Sequence, residues 1–255
     1  MTRRVFAALK AGVSNTRAEP VLRWLVKRSR GIRMPFDLVK NEIYDRQAGE
    51  VMRRVLKPSS NCVDIGCHQG QFLREFVRLA PQGRHWAFEP IPHLAEALRR
   101  EFPSVQVMDA ALSDRSGESS FFVLPDAPAR SGLHKREFIG NSGARREIRV
   151  RTERLDDLVP PATQVDFIKI DVEGAEGPVI KGSLETIRQS RPCIVFEHGR
   201  RSSLDFGFAP EQIYDLLATH CGLRVSLLCD WLSGRAPLTK AAFTHNREWY
   251  FLAHP

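Results

Sequence analysis

Five short apolar segments, each stopping on an acid or a glycine, constrain this chain more than any other feature in it. They are Cys62-Val63-Asp64-Ile65 closed by Gly66, His85-Trp86-Ala87-Phe88 closed by Glu89, Val105-Gln106-Val107-Met108 leading into Asp109-Ala110-Ala111-Leu112, Val165 to Asp171, and Cys193-Ile194-Val195-Phe196 closed by Glu197-His198. Between them apolar residues recur at helical spacing: Phe72, Phe76 and Leu79, then Leu94, Leu98 and Phe102 behind Pro92, then Leu184 and Ile187 behind Pro178. Strands and helices alternating in this way specify a parallel sheet covered by helices. Ligands of such sheets bind beyond the carboxyl ends of the strands, where strand order reverses. The polar residues that end the strands are therefore the ones to examine for function.

The alternation breaks between residues 113 and 163. Two strand-like stretches, 120–123 and 147–152, flank a loop rich in Gly, Ser, Ala and Arg, and the second sets Ile148 and Val150 against Arg149 and Arg151. One face is then buried and the other wet, as in a β-hairpin insertion after the third strand. The last fifty residues read as a helix over 210–219 and strands over 223–229 and 248–253. The expected architecture is α/β: a mostly parallel seven-stranded sheet over residues 51–255 with helices on both faces. A chain of 255 residues that is 42% hydrophobic and 27% charged suits a domain of that kind.

Charge is unevenly placed. Residues 1–33 hold nine Lys or Arg against Glu19, whereas the rest of the chain balances its signs, so the net +8 belongs to the head. Residues 1–50 are expected to form a basic helical extension. Val21, Leu22, Trp24, Leu25 and Val26 beside Arg23, Lys27 and Arg28 would suit peripheral contact with an anionic membrane surface. The plainer expectation is a solvated extension. No apolar run approaches the roughly 18 residues of a membrane span, and basic residues interrupt every candidate secretory segment among the first 30. Five cysteines without a CxxC pair suit a reducing compartment. A cytoplasmic location is the expectation.

The first strand runs into Asp64-Ile65-Gly66-Cys67-His68-Gln69-Gly70. Glycine permits a tight turn and close approach of a ligand to backbone N–H groups, and the next helix offers its N-terminus to an anion. The loop is GxxxG rather than the GxGxxG of dinucleotide folds, which favours a ligand with a carboxylate and an ammonium over one with a pyrophosphate. Glu89 follows at the end of the second strand, where an acid can accept both hydroxyls of a ribose.

Asp64-x-Gly66-x-x-x-Gly70, Ala87-Phe88-Glu89-Pro90, Ala111-Leu112-Ser113-Asp114, Lys169-Ile170-Asp171-Val172-Glu173-Gly174-Ala175-Glu176 and Arg191-Pro192 before Glu197 occur in order. Over residues 61–198 the chain resembles the FkbM family of S-adenosylmethionine-dependent methyltransferases. The resemblance implies the Rossmann-like class I methyltransferase fold and O-methylation of a hydroxyl, often on a sugar or a small metabolite. It also implies cofactor-binding roles. Asp64 would face the methionine ammonium, Gly66 and Gly70 its carboxylate, Glu89 the ribose, and Asp109 and Ala110 the adenine. One departure stands out: the family's loop usually reads Gly-Ala-Asn-x-Gly, and here Cys67 and His68 take the middle places.

An alcohol is a poor nucleophile until its proton begins to leave, so a base is sought at the fourth and fifth strand ends. Asp171, Glu173, Glu197 and His198 are the catalytic candidates, His198 being the better base near neutral pH. A divalent metal could sit among them but is not favoured, since no spacing is a dedicated metal motif. Glu176 reads as an acid opening a helix, and Lys169 as a buried ion-pair partner of Asp171. The acceptor is expected to be a small molecule or glycan, selected by loops 125–146 and 199–210, where His134 lies. An arginine-rich stretch over 130–154 could hold an anionic acceptor. The fourth strand lacks the Asn/Asp-Pro-Pro-aromatic block of base-amino methylases, which argues against nucleobase N-methylation, and nucleic acid is not the expected partner. The alternatives are RNA ribose methylation guided by the basic head, or a cofactor-binding or membrane-surface module without catalysis.

Overall fold

The computed structural model describes residues 36–124, 131–133, 145–199 and 203–255. The basic head of residues 1–33, His134 and most of the loop 125–146 lie outside the described residues. Helix α1 (Phe36–Val55) leads to β1 (Cys62–Ile65), α2 (Gln71–Leu79), β2 (His85–Phe88), α3 (Pro92–Glu101) and β3 (Gln106–Met108). Then come β4 (Ala110–Leu112), β5 (Gly117–Val123), β6 (Arg146–Glu153) and α4 (Leu155–Leu158). Next are β7 (Phe167–Ile170), α5 (Glu176–Lys181), α6 (Leu184–Ser190) and β8 (Cys193–Glu197). Helix α7 (Pro210–Tyr214) continues as a π-helical turn, Asp215–His220, before β9 (Arg224–Leu227), α8 (Leu228–Leu232), α9 (Lys240–Thr244) and β10 (Tyr250–His254). No helix among the described residues is long and apolar enough to cross a membrane.

The compact unit from Val51 to Pro255 is built on a seven-stranded sheet in the order β3-β2-β1-β7-β8-β10-β9. Neighbours from β3 to β8 are parallel, and β10 runs antiparallel to both β8 and β9. Every residue of β1, β2 and β7 is buried. Strands covered on both faces need nearly continuous apolar side chains, which explains why their sequences show no alternation. Trp86, Phe88, Ile168, Ile170 and Phe196 fill the core they share. The chain walks outward from β1 to β3 and then returns to the other side of β1 as β7. The carboxyl ends of β1 and β7 therefore meet where strand order reverses, and Asp171 N donates to Ile65 O there at 3.1 Å.

Three expectations are corrected in detail. The insertion is more than a hairpin: β4, β6 and β5 form a separate three-stranded sheet, with β4 parallel to β6. The fully buried Ala110–Leu112 is too short to stand alone and takes the free edge of the longer β6. The predicted alternation holds there, with Val150 inward and Arg149 and Arg151 exposed. The single helix expected after β7 is two, parted at Gly182-Ser183, where Gly182 presses against the carbonyl of Ser113. The strand expected over 223–229 ends at Leu227, because Leu228 opens α8.

Candidate active site

At the end of β1 the chain needs glycine for a steric reason. Gly66 has φ 79°, and a Cβ on it would lie 2.0 Å from the carbonyl oxygen of Asp171. The loop is then fastened to the end of β2. Gly66 N and Cys67 N both donate to Phe88 O, at 3.0 and 3.3 Å. His68 takes a left-handed conformation, φ 47°, and its N–H donates to Glu89 Oε2 at 2.8 Å. Glu89 Oε1 accepts from Ile91 N at 3.0 Å, so one buried carboxylate joins the β1 loop to the start of α3. Burial pushes the Glu89 carboxyl up to about 7, against the two N–H bonds that favour its charge.

A cleft of about 550 Å³, open to solvent, lies over this reversal. Its walls include Gly66 and His68 from the β1 loop, Phe88 and Glu89 from β2, Ala110 and Ala111 from β4, and Phe121 from β5. Asp171 and Glu173 close the far end, and Ser131 and Leu133 come from the insertion. Three carboxylates and one histidine line it, with no Lys or Arg side chain among the described residues. Burial and the nearby Lys169 charge hold His68 below the usual histidine range.

Of the sequence-predicted cofactor residues, Gly66, Glu89 and Ala110 line this cleft. Gly70 instead sits at the start of α2, with φ 74° and no room for a Cβ against Leu98 and Phe102. Asp109 turns its carboxylate outward between Arg99 at 2.9 Å and Arg151 at 3.0 Å. Despite some burial, a hydrogen bond from its own backbone and then the two guanidinium groups keep that carboxyl below its ordinary range. Asp64 does not reach the cleft. The β1–β7 register sets it opposite Lys169, whose Nζ lies 3.4 Å from Asp64 Oδ1, and its side chain is 1% exposed.

Lys169 ties the two strand ends together. Its Nζ donates to Gly66 O at 2.6 Å and lies 4.0 Å from Asp171 Oδ2. Burial disfavours its charge, but the carboxylates of Asp64 and Asp171 outweigh burial and hold the ammonium above its ordinary range.

Asp171, Glu173 and Glu197 bring carboxylate oxygens within 4.8 Å of one another. Burial, followed by the charges of Asp171 and Glu173, pushes Glu197 well above the carboxylate range. For Asp171 burial is outweighed by the Lys169 charge and by hydrogen bonds from Glu197 and Tyr250, so its carboxyl is held low. The proton of the pair is thus favoured on Glu197 and the charge on Asp171. Tyr250 Oη donates to Asp171 Oδ2 at 2.6 Å. Sequence reasoning placed the last strand but missed this residue, since nothing local in Trp249-Tyr250-Phe251 says which strand it will join.

Glu173 also stands in a left-handed conformation, φ 56°, beside Gly174 at φ 104°. Such backbone costs energy outside glycine and collects at functional sites. Glu176 supports the turn: Oε1 accepts from Gly174 N at 2.9 Å, and burial pushes this carboxyl up to about 7. Gly132 crosses above, where a Cβ would sit 3.5 Å from that of Glu173.

His198 does not join the acids, which corrects its assignment as a base. Consecutive residues of a strand point to opposite faces, so Glu197 faces Asp171 and His198 turns away. Its ring stacks on Phe243, centroids 5.2 Å apart, and Nδ1 lies 3.0 Å from Ser203 Oγ, with the residue 2% exposed. Within the arginine-rich stretch Arg149 pairs with Glu118, Arg151 with Asp109 and Arg154 with Asp156, while Arg130, Lys135 and Arg136 lie outside the described residues.

Comparison with known proteins agrees with this geometry. Residues 64–225 match the family described as the methyltransferase FkbM domain. The 2-O-methyltransferase NoeI of Sinorhizobium fredii (strain NBRC 101917 / NGR234) is 32% identical over 179 residues, covering 63% of this chain and 70% of that protein. Methyltransferase 1 of Beauveria bassiana (strain ARSEF 2860) is 27% identical over 141 residues, 47% of this chain and 57% of that protein. Among solved structures, a methyltransferase FkbM from Methylobacillus flagellatus KT aligns with a TM-score of 0.49 at 16% identity, over 94% of this chain and 59% of that one. The chain belongs to the FkbM family and is a methyltransferase with the Rossmann-like class I fold.

Proposed function

We propose that the protein transfers the methyl group of S-adenosylmethionine to a hydroxyl oxygen of a small metabolite or glycan. The observation that carries this is the charge of the cleft: among the described residues, Glu89, Asp171 and Glu173 line it and no Lys or Arg does. A pyrophosphate would be repelled there, whereas a ligand bearing a sulfonium and an ammonium is attracted. The remaining walls suit a nucleoside. Glu89 has lone pairs left for ribose hydroxyls after accepting two N–H bonds, and Ala110, Ala111 and Phe121 offer apolar surface to a purine. When bound, the cofactor supplies an electrophilic methyl group on a good leaving centre.

This chain's contribution is then positioning and proton handling. Asp171 faces the cleft as the anion of its pair, and so accepts the hydrogen bond of the incoming hydroxyl and takes up its proton as the methyl group transfers. Glu197, already protonated, orients Asp171 from behind. Glu173, held in its strained turn, faces the same space. Oxygen as the acceptor atom is supported by the similarity to a 2-O-methyltransferase.

Calorimetric titration with S-adenosylmethionine and, in parallel, with NAD tests the cofactor. Micromolar affinity for the first and none for the second is expected. Binding of NAD without binding of S-adenosylmethionine would overturn the proposal.

A further inference from the structure

We propose that Tyr250 is a positioning residue for the methyl transfer: its phenol holds Asp171 in the orientation, and as the anion, that receives the acceptor hydroxyl. The inference rests on the methyl-transfer reading of the cleft and extends it to a residue 79 positions away in sequence.

Geometry makes tyrosine the residue suited to this task. β10 is separated from β7 by β8, and neighbouring strands lie about 4.8 Å apart, so a donor on β10 must reach across roughly 10 Å to serve β7. A serine or threonine is too short, and a phenylalanine has no donor. The antiparallel register places Tyr250 opposite Glu197, so the ring passes beside one acid and ends on the other. The contact of 2.6 Å is typical of a hydroxyl donating to a charged carboxylate, and Tyr250 itself is 8% exposed.

Two carboxyl groups in contact share a proton, and their other partners decide which one keeps it. Among the described residues few groups act on Asp171. Lys169 faces it at 4.0 Å but already donates to Gly66 O and is nearer to Asp64. His68 approaches from the β1 loop, and Glu173 and Glu176 from the segment after β7, while Glu197 is its partner in the pair. Tyr250 is a neutral donor aimed at Asp171, and it favours the proton on Glu197 rather than on the acid that fronts the cleft.

The test is Tyr250→Phe in the full chain, labelled with carboxyl-¹³C aspartate, the Asp171 resonance being identified by its loss in Asp171→Asn. The Asp171 midpoint is expected to rise by about one pH unit, a tenfold change in its acid constant, with affinity for S-adenosylmethionine within about threefold of the parent. An unmoved midpoint overturns the proposal. If Tyr250→Phe does not fold, 3-fluorotyrosine at position 250 keeps the shape with a more acidic phenol. The midpoint should then fall, and an unmoved one again overturns the proposal. Failure of the parent protein to bind S-adenosylmethionine would instead count against the methyl-transfer reading itself.

Discussion

The two strand ends that meet at the reversal are built in opposite ways. On the β1–β2 side everything lies between residues 64 and 91, and the contacts are backbone: Gly66 N and Cys67 N on Phe88 O, His68 N and Ile91 N on one carboxylate. On the β7–β8 side the parts come from Lys169, Asp171, Glu197 and Tyr250 on three strands, and the contacts are between side chains. A loop held by backbone contacts keeps its shape when side chains change, and with Cys67 and His68 in the middle places those contacts are in place. A side-chain cluster balanced by one shared proton is sensitive to any single charge.

The comparison predicts that binding and turnover separate between the two ends. Asp171→Asn should lower methyl transfer by roughly 10²–10³-fold, the range of a placed base, while leaving affinity for S-adenosylmethionine within a few-fold. Steady-state rates with calorimetry check it. Glu89→Ala should do the reverse, weakening cofactor affinity by about 10- to 100-fold, because two buried N–H groups lose their acceptor and the ribose loses its partner. Equal losses of affinity from both variants would break the division between the two ends.

How much of this the sequence revealed follows the same division. The β1–β2 side was legible because its contacts are local: Gly66 and Glu89 end consecutive strands, and both line the cleft. Asp64 was read with the loop it precedes, and its pairing with Lys169 could be seen only from the register with β7. On the β7–β8 side, Asp171 and Glu173 were found as strand-end acids. His198 was misassigned because strand parity sends it to the opposite face, a fact the sequence contains but the preference for histidine as a base overrode. Tyr250 was out of reach, since its role depends on β10 pairing antiparallel with β8, and no local pattern encodes that partner. β4 joining β6 was hidden for the same reason.

Glu176 sharpens the comparison through stability. Its carboxyl is raised to about 7 by burial and serves a backbone N–H behind the catalytic turn. An acid whose folded midpoint is raised stabilises the fold fully below its unfolded midpoint near 4.5, and that contribution is lost as pH rises through 7. Glu176→Gln keeps the acceptor without the charge. Relative to the parent it should become more stable by roughly 1–3 kcal/mol between pH 4.5 and pH 8, measured by denaturant unfolding. Glu89 titrates in the same window but is present in both proteins, so it cancels from the difference. A gain independent of pH would mean that Glu176 is not neutral in the fold.

The smallest expected effect is the most discriminating. Glu197 and Asp171 are both acids at adjacent strand ends, equivalent in sequence, and their surroundings distinguish them: burial and the charges of Asp171 and Glu173 push Glu197 up, while Lys169 and the hydrogen bonds from Glu197 and Tyr250 hold Asp171 low. A glutamine at 197 still offers a neutral donor to Asp171. Glu197→Gln should therefore change methyl transfer near pH 7 by less than about threefold, within the cost of one slightly misplaced neutral hydrogen bond. Were Glu197 the base, the same substitution would cost as much as Asp171→Asn, and the roles of the two acids would have to be exchanged. Running the two variants side by side at pH 6, 7 and 8 makes the distinction firmer. As the anion that takes up the proton, Asp171 is already ionised across that range, so the parent rate should vary little with pH on its account, and Glu197→Gln should follow the parent.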